Sequence, residues 1–296
     1  MPFSLQLPTP FCYGLTRLLR RVRPTSRSAE VFDQAAYFRR QYESTDRLRE
    51  RFMAGIPFEG RTVLDLGSGL GGRAPRWLDY GAERVWAIDV NRQELEAGRA
   101  ILSAQFPQYA ARVEWCHPDD APSGPLADTA VLVDCFEHLV EPAAVLKRLA
   151  DRLRPGGCAW IGSFAWYHHA ASHCGFHVPI PWSQVLFSER AIIRTIQRVV
   201  RQPDYELTFW ERREGIQRWD QVRTLRDRPG EPLNQLSLRG VRRVLAQSPL
   251  RLESFQVWTY SAAAGPLARA LGGMARLPLF DELFHSYYTA LLRKPT

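Results

Sequence analysis

Thr62-Val-Leu-Asp-Leu-Gly-Ser-Gly-Leu-Gly-Gly72 reads as a strand, a glycine turn and the entry to a helix. Val63, Leu64 and Leu66 form the short apolar run that a buried parallel strand needs. Gly67, Gly69, Gly71 and Gly72 strip most Cβ atoms from the turn, so backbone can touch a ligand. Pro75 suits a first helical turn, and Trp77, Leu78 and Tyr80 can face inward, which predicts a helix from about Ala74. This is the first unit of a doubly wound, Rossmann-like α/β fold. The glycines do not choose the ligand, because Gly67-x-Gly69-x-x-Gly72 also satisfies a dinucleotide fingerprint. Asp65 discriminates: a carboxylate inside the strand end repels a pyrophosphate and can hold an ammonium group.

The following segments extend the unit. Arg84-Val-Trp-Ala-Ile-Asp-Val90 is the second strand. Asp89 ends it about twenty residues after the first glycine, where such folds place the acid for ribose hydroxyls. Its other reading is a helix N-cap, since Asn91 and Gln93 open the next helix, Glu94 to Phe106. Val113 to Cys116 is the third strand, followed by the turn His117-Pro-Asp-Asp-Ala-Pro122. Thr129 to Asp134 is the fourth strand and runs into Cys135-Phe-Glu-His-Leu139. A helix from Ala143 is stopped by Leu153-Arg-Pro-Gly-Gly157, and Cys158 to Ser163 is the fifth strand.

Leu64-Asp-Leu-Gly-Ser-Gly69, Asp134-Cys-Phe-Glu-His138 and Leu153-Arg-Pro-Gly-Gly157, in this order, resemble the motifs of class I S-adenosylmethionine-dependent methyltransferases. The resemblance covers about residues 60–165. It implies a seven-stranded, mostly parallel sheet with S-adenosyl-L-methionine as cofactor. Asp65, Gly67, Ser68 and Gly69 would then meet the cofactor, with Asp89 and Val90 at its ribose end. Asp119 or Asp120 would bond the adenine amino group, or serve as a plain turn carboxylate. Asp134 would lie near the sulfonium and the acceptor. The implied reaction is an in-line attack on the sulfonium methyl, in which the protein mainly aligns reactants and excludes water. His138 is the first base candidate by position; orienting Glu137 or capping the helix near Pro142 is its other reading. Glu137 would serve an acceptor carbon.

After the fifth strand the chain reads Trp166-Tyr-His-His-Ala-Ala-Ser-His-Cys-Gly-Phe-His177. A helix would align His169, His173 and His177 on one face, which raises metal binding. Gly175, Pro179 and Pro181 oppose a continuous helix and the spacing matches no structural zinc site, so no metal ligand set is assigned. The segment through Pro-Ile-Pro-Trp-Ser-Gln-Val-Leu-Phe-Ser-Glu189 resembles a methyltransferase subgroup with paired histidines at this position. That makes His168 and His169 candidates to orient the acceptor, take its proton or bind an acidic group on it; a buried polar loop is the alternative. Ser188 should cap a helix from Glu189 to Val200. Phe209, Trp210 and Trp219 interleave with Arg212, Arg213 and Arg218, a pattern for single-stranded nucleic acid or for an amphipathic lid. The core resumes with a helix from Leu238 to Gln247, a strand from Arg251 to Tyr260 and a last strand near Ser286 to Arg293.

The 296 residues are 45% hydrophobic and carry a net charge of +8, nearly all of the basic side chains being arginine. The charge is spread along the chain with no nucleic-acid motif beside it, so a solvated surface is favoured over a nucleic-acid partner. Five scattered cysteines without a C-x-x-C pair read as reduced thiols of a cytoplasmic protein. No apolar run is long enough to span a bilayer. Residues 1–29 contain no acid, and Leu15, Leu18, Leu19 and Val22 recur at helical spacing among arginines. Weak membrane contact, a transit-like segment, a lid helix and a domain-capping segment all fit that pattern. Residues 29–52 turn helical with an aromatic face that includes Phe32, Tyr37, Phe38 and Tyr42. The expected division is a helical cap over 1–55, a cofactor-binding core over 56–165, a lid insertion over 166–236 and the rest of the core over 237–296. The expected acceptor is a small, apolar or aromatic metabolite, as in secondary metabolism. A nicotinamide-dependent oxidoreductase and a non-catalytic S-adenosylmethionine-binding module are the alternatives.

Overall fold

The glycine turn leaves the third strand, in spatial order, of a seven-stranded sheet. A computed structural model of the chain describes residues 5–22, 33–207, 211, 215–228, 232–260, 265–277 and 279–296. Phe32, Phe209, Trp210, Arg212 and Arg213, named above, lie outside the described residues. The strands are β1 (Thr62–Leu66), β2 (Arg84–Ile88), β3 (Val113–Cys116), β4 (Ala127–Val133), β5 (Leu153–Ser163), β6 (Arg251–Thr259) and β7 (His285–Arg293). Their order is β3-β2-β1-β4-β5-β7-β6. The first five are parallel, and β7 lies antiparallel between β5 and β6. The connection reverses between β1 and β4, so the crevice for a ligand opens at the carboxyl ends of those two strands.

Alternation along the strands divides the core into two layers. Val63, Val131, Val133 and Trp160 pack on one face with Trp77, Leu102 and Phe38. Leu64, Ala130, Leu132 and Ile161 pack on the other with Leu146, Val241 and Leu245. The helices follow from this division, in chain order α1 (Thr9–Val22), α2 (Gln34–Phe52), α3 (Ala74–Asp79), α4 (Arg92–Gln105) and α5 (Pro142–Arg152). α2, α3 and α4 cover the first layer; α5 and the helix Leu238–Ala246 cover the second. β5 begins five residues earlier than the sequence predicts, because Leu153 pairs with Ala127 before a register shift brings Cys158 opposite Thr129.

The two N-terminal helices join different parts of the molecule. Asp33 caps α2 by accepting the N–H groups of Ala35 and Ala36, and Phe38 is wholly buried in the sheet core. α1 packs instead on α7 (Glu189–Val199), which follows the short α6 (Ser183–Leu186). Its approach is fixed by backbone bonds from Leu5 to Val185 and from Leu7 to Leu186. Cys12 of α1 is buried with Trp166, Ile192, Ile196 and Trp219 in a third hydrophobic cluster, formed by the insertion. Ser188 caps α7 as expected, its hydroxyl accepting the Ala191 N–H. Among the described residues no helix is long and apolar enough to cross a membrane.

Candidate active site

The glycine turn is shaped by close approach. Gly67 and Gly69 have φ of +75° and +55°. A Cβ on Gly67 would lie 2.5 Å from the Cys135 Cβ, so the turn presses against the end of β4. A Cβ on Gly69 would meet only Glu94 Oε2, at 3.1 Å. Asp89 holds the turn from the side: its Oδ2 accepts the Gly69 N–H at 2.8 Å and its Oδ1 the Asn91 N–H at 2.8 Å. Asp89 is therefore not the cap of α4; Asn91 is, accepting the Glu94 N–H. Beside it Val90 is 76% exposed. Ser68 Oγ is buried and finds no hydrogen-bond partner among the described residues.

Four carboxylates gather here. Asp65 is buried, and its Oδ2 accepts the Trp77 indole N–H at 2.8 Å. Burial raises its pKa to about 6, while the Trp77 bond and the Arg73 charge oppose the rise and Asp89 adds to it. Asp134 has left-handed backbone at φ +51°, which aspartate tolerates better than most residues. Its Oδ1 accepts from Tyr287 at 2.9 Å, and its Oδ2 lies 3.9 Å from an Arg73 nitrogen. Glu137 is buried in the turn after β4, and its Oε2 accepts the Ser163 hydroxyl at 2.6 Å. Burial and the neighbouring Asp134 lift its pKa to about 8. Cys135 registers the whole group: after burial, Glu137, Asp65, Asp89 and Asp134 each push its thiol pKa further up. Arg73 Nε is buried without a partner among the described residues.

The histidines disperse. The loop is a chain of turns rather than a helix, so His169, His173 and His177 do not share a face. His169 Nδ1 lies 2.7 Å from the Tyr260 hydroxyl. His177 Nε2 lies 2.7 Å from Glu211 Oε1, and Tyr205 and Trp219 donate to the same carboxylate. His173 turns to His138, with ring centroids 4.8 Å apart. His138 Nδ1 is 2.9 Å from the Pro232 carbonyl, which fixes that nitrogen as the N–H and leaves Nε2 a lone pair. His168 is buried against Phe164, His169 and His285. Burial drives its pKa far below the usual imidazole value, so it stays neutral and is a feeble base.

Asp119 and Asp120 lie on the exposed turn after β3; Asp120 pairs with Arg92, and Asp119 sits 3.5 Å from the His117 ring. Sequence reasoning missed Arg73, Trp77, Ser163 and Tyr287 as partners of the acids. Arg73, directly after the glycines, carried the one local signal, a cation entering a crevice that Asp65 makes acidic. Tyr287 arrives from the last strand and carried none.

Residues 64–159 match the family model described as a methyltransferase domain. This match places a methyltransferase domain in that segment. The chain is similar to the ribosomal protein L11 methyltransferase of Shewanella halifaxensis, at 31% identity over 43% of this chain and 42% of that one. It is similar to the tRNA U34 carboxymethyltransferase of Idiomarina loihiensis, at 33% identity over 33% of this chain and 31% of that one. A crystal structure of an S-adenosylmethionine-dependent methyltransferase from Mesorhizobium loti aligns with a TM-score of 0.49 at 15% identity, covering 82% of this chain and 95% of that one. The chain spans less than half the length of these curated relatives.

Proposed function

We propose that the chain methylates a small acceptor carrying an oxygen or nitrogen nucleophile, with S-adenosylmethionine held at the ends of β1, β2 and β4. The observation that carries this is the placement of Asp65, Asp89 and Asp134 at the ends of β1, β2 and β4 beside the glycine turn, with Asp89 on the Gly69 N–H. Such a crevice favours a ligand bearing positive charge. The cofactor fits it: the ammonium and sulfonium meet acids, and the carboxylate has Arg73, whose buried Nε finds no partner among the described residues. Asp89 takes the ribose hydroxyls, Ser68 Oγ gives a further polar contact, and exposed Val90 offers an apolar edge to the adenine. When bound, the cofactor supplies a methyl group on a positively charged sulfur.

The chain's own residues align the acceptor and remove its proton. Glu137 and His138 follow β4 beside the crevice; Phe136, Phe164 and Trp166 line a void of about 10 Å³ against Glu137, room for one water and not for an acceptor. His138 Nε2 has the lone pair for a general base. His168 is too weakly basic for that role and packs the wall; His169, held by Tyr260, orients the acceptor. The lid is residues 166–236 with α1 laid against it. The reading is tested by incubating the protein with methyl-labelled S-adenosylmethionine and, separately, a metabolite extract, ribosomal protein and transfer RNA. Label in a small metabolite is expected. Label only in protein or RNA overturns the acceptor class, and no label in any overturns the enzymatic reading.

A further inference from the structure

Glu137, His138 and His173 come from two segments that the fold brings together, the turn after β4 and the loop after β5. One ligating atom from each lies within 4.8 Å of the others. His138 Nε2 is 3.9 Å from Glu137 Oε1. Two imidazoles and a carboxylate around one tetrahedral ion place donor atoms about 3.4 Å apart, from bonds of about 2.0–2.2 Å. Small side-chain rotations close the remaining gap.

We propose that these three residues bind one divalent transition-metal ion. Each donor is already oriented from behind, as metal ligands are. Pro232 takes the His138 Nδ1–H, which leaves Nε2 for the ion. Ser163 donates to Glu137 Oε2, which leaves Oε1. Arg228 donates to the His173 carbonyl at 3.1 Å and fixes its backbone, which sits in the left-handed region at φ +51°. His173 Nε2 is buried with no hydrogen-bond partner among the described residues, an arrangement that is costly for a ring with nothing to bind.

The donor set states the metal class. Two nitrogens and one oxygen suit Zn2+, Fe2+, Co2+ or Mn2+, whereas Mg2+ and Ca2+ take oxygen shells. Three protein ligands leave an open coordination position, as in catalytic sites. On the methyltransferase reading proposed above, the acceptor's oxygen would take that position. A bound cation lowers the pKa of a hydroxyl, so in the loaded protein the ion takes over from His138, now a ligand, and the acceptor would be presented as its anion. Phenols and enols that offer such an oxygen are the substrate class this favours.

The test uses untagged full-length protein stripped with a chelator and titrated with Co2+ alone. Stoichiometric binding is expected, with visible ligand-field absorption of a nitrogen- and oxygen-ligated ion that Zn2+ abolishes by displacement. His173→Ala should lose the spectrum, Ser163→Ala should bind roughly 10–100-fold more weakly, and His177→Ala should keep both spectrum and affinity. S-adenosylhomocysteine calorimetry on each variant separates misfolding from lost ligation: a variant that binds it is folded at the crevice. If His173→Ala does not fold, the Ser163→Ala shift decides. Absence of stoichiometric Co2+ in the parent overturns the proposal, as does an unchanged spectrum in His173→Ala. Asp89→Ala should lose S-adenosylhomocysteine and keep Co2+, so failure of the cofactor reading and failure of the metal site are distinguishable.

Discussion

Asp65 sits where a charge is expensive, wholly inside the sheet with one oxygen on the Trp77 indole. Trp77→Phe keeps an aromatic ring against Phe58 but removes the indole donor and part of a buried side chain's volume, so the loss of the bond sets a lower bound. Loss of a hydrogen bond to a charged group should lower stability by about 1.5–3 kcal/mol, read from urea denaturation at neutral pH. Glu137 sets a pH dependence whose sign follows from its raised pKa of about 8. Between the ordinary carboxylate range and pH 8 the folded protein holds a proton that the unfolded chain has released. Stability of the ligand-free protein should therefore fall as pH rises from about 5 to 8, and Glu137→Gln should flatten that fall. A thermal-melt series in the two proteins checks it; identical slopes would contradict the assignment. The identity of the acids was legible one at a time, because each ends a strand. Their partners were not: Tyr287 reaches Asp134 across 153 residues, a contact no local pattern encodes.

The strand, glycine turn and helix were legible because their signals are local. β1, β3 and α7 fall close to where the residues place them, since apolar runs, glycines and the Ser188 cap act within a few positions. The turn's two glycines have different jobs. Gly67→Ala would drive a Cβ into Cys135 on left-handed backbone, and strain plus overpacking should cost about 2–6 kcal/mol. Gly69→Ala meets only the end of the flexible Glu94 side chain. Its cost should stay near 1–2 kcal/mol, while S-adenosylhomocysteine affinity drops because the new methyl enters the crevice. Circular dichroism melts and calorimetry on the pair separate the two roles. The histidine loop was the opposite case. Its spacing suggested one helical face, but turns send His169 to Tyr260, His173 to His138 and His177 to Glu211, a dispersal fixed by distant elements.

Across the whole molecule, a sheet with two packed layers carries the crevice, and the insertion and α1 build a third cluster of their own. The Glu211 carboxylate ties that cluster together through His177, Tyr205 and Trp219. Removing the carboxylate by Glu211→Ala leaves three donors without their acceptor, at about 1–3 kcal/mol each. Limited proteolysis should then cut the insertion earlier than the core, whereas simultaneous loss of both would show that they unfold as one unit. The central claim concerns the acidic crevice, and calorimetry of S-adenosylhomocysteine binding to the full chain tests it most directly. Stoichiometric binding is predicted, weakened at least about a hundredfold in Asp89→Ala, as loss of a pair of charge-assisted hydrogen bonds implies. No binding by the parent protein, or equal affinity in the variant, would contradict it.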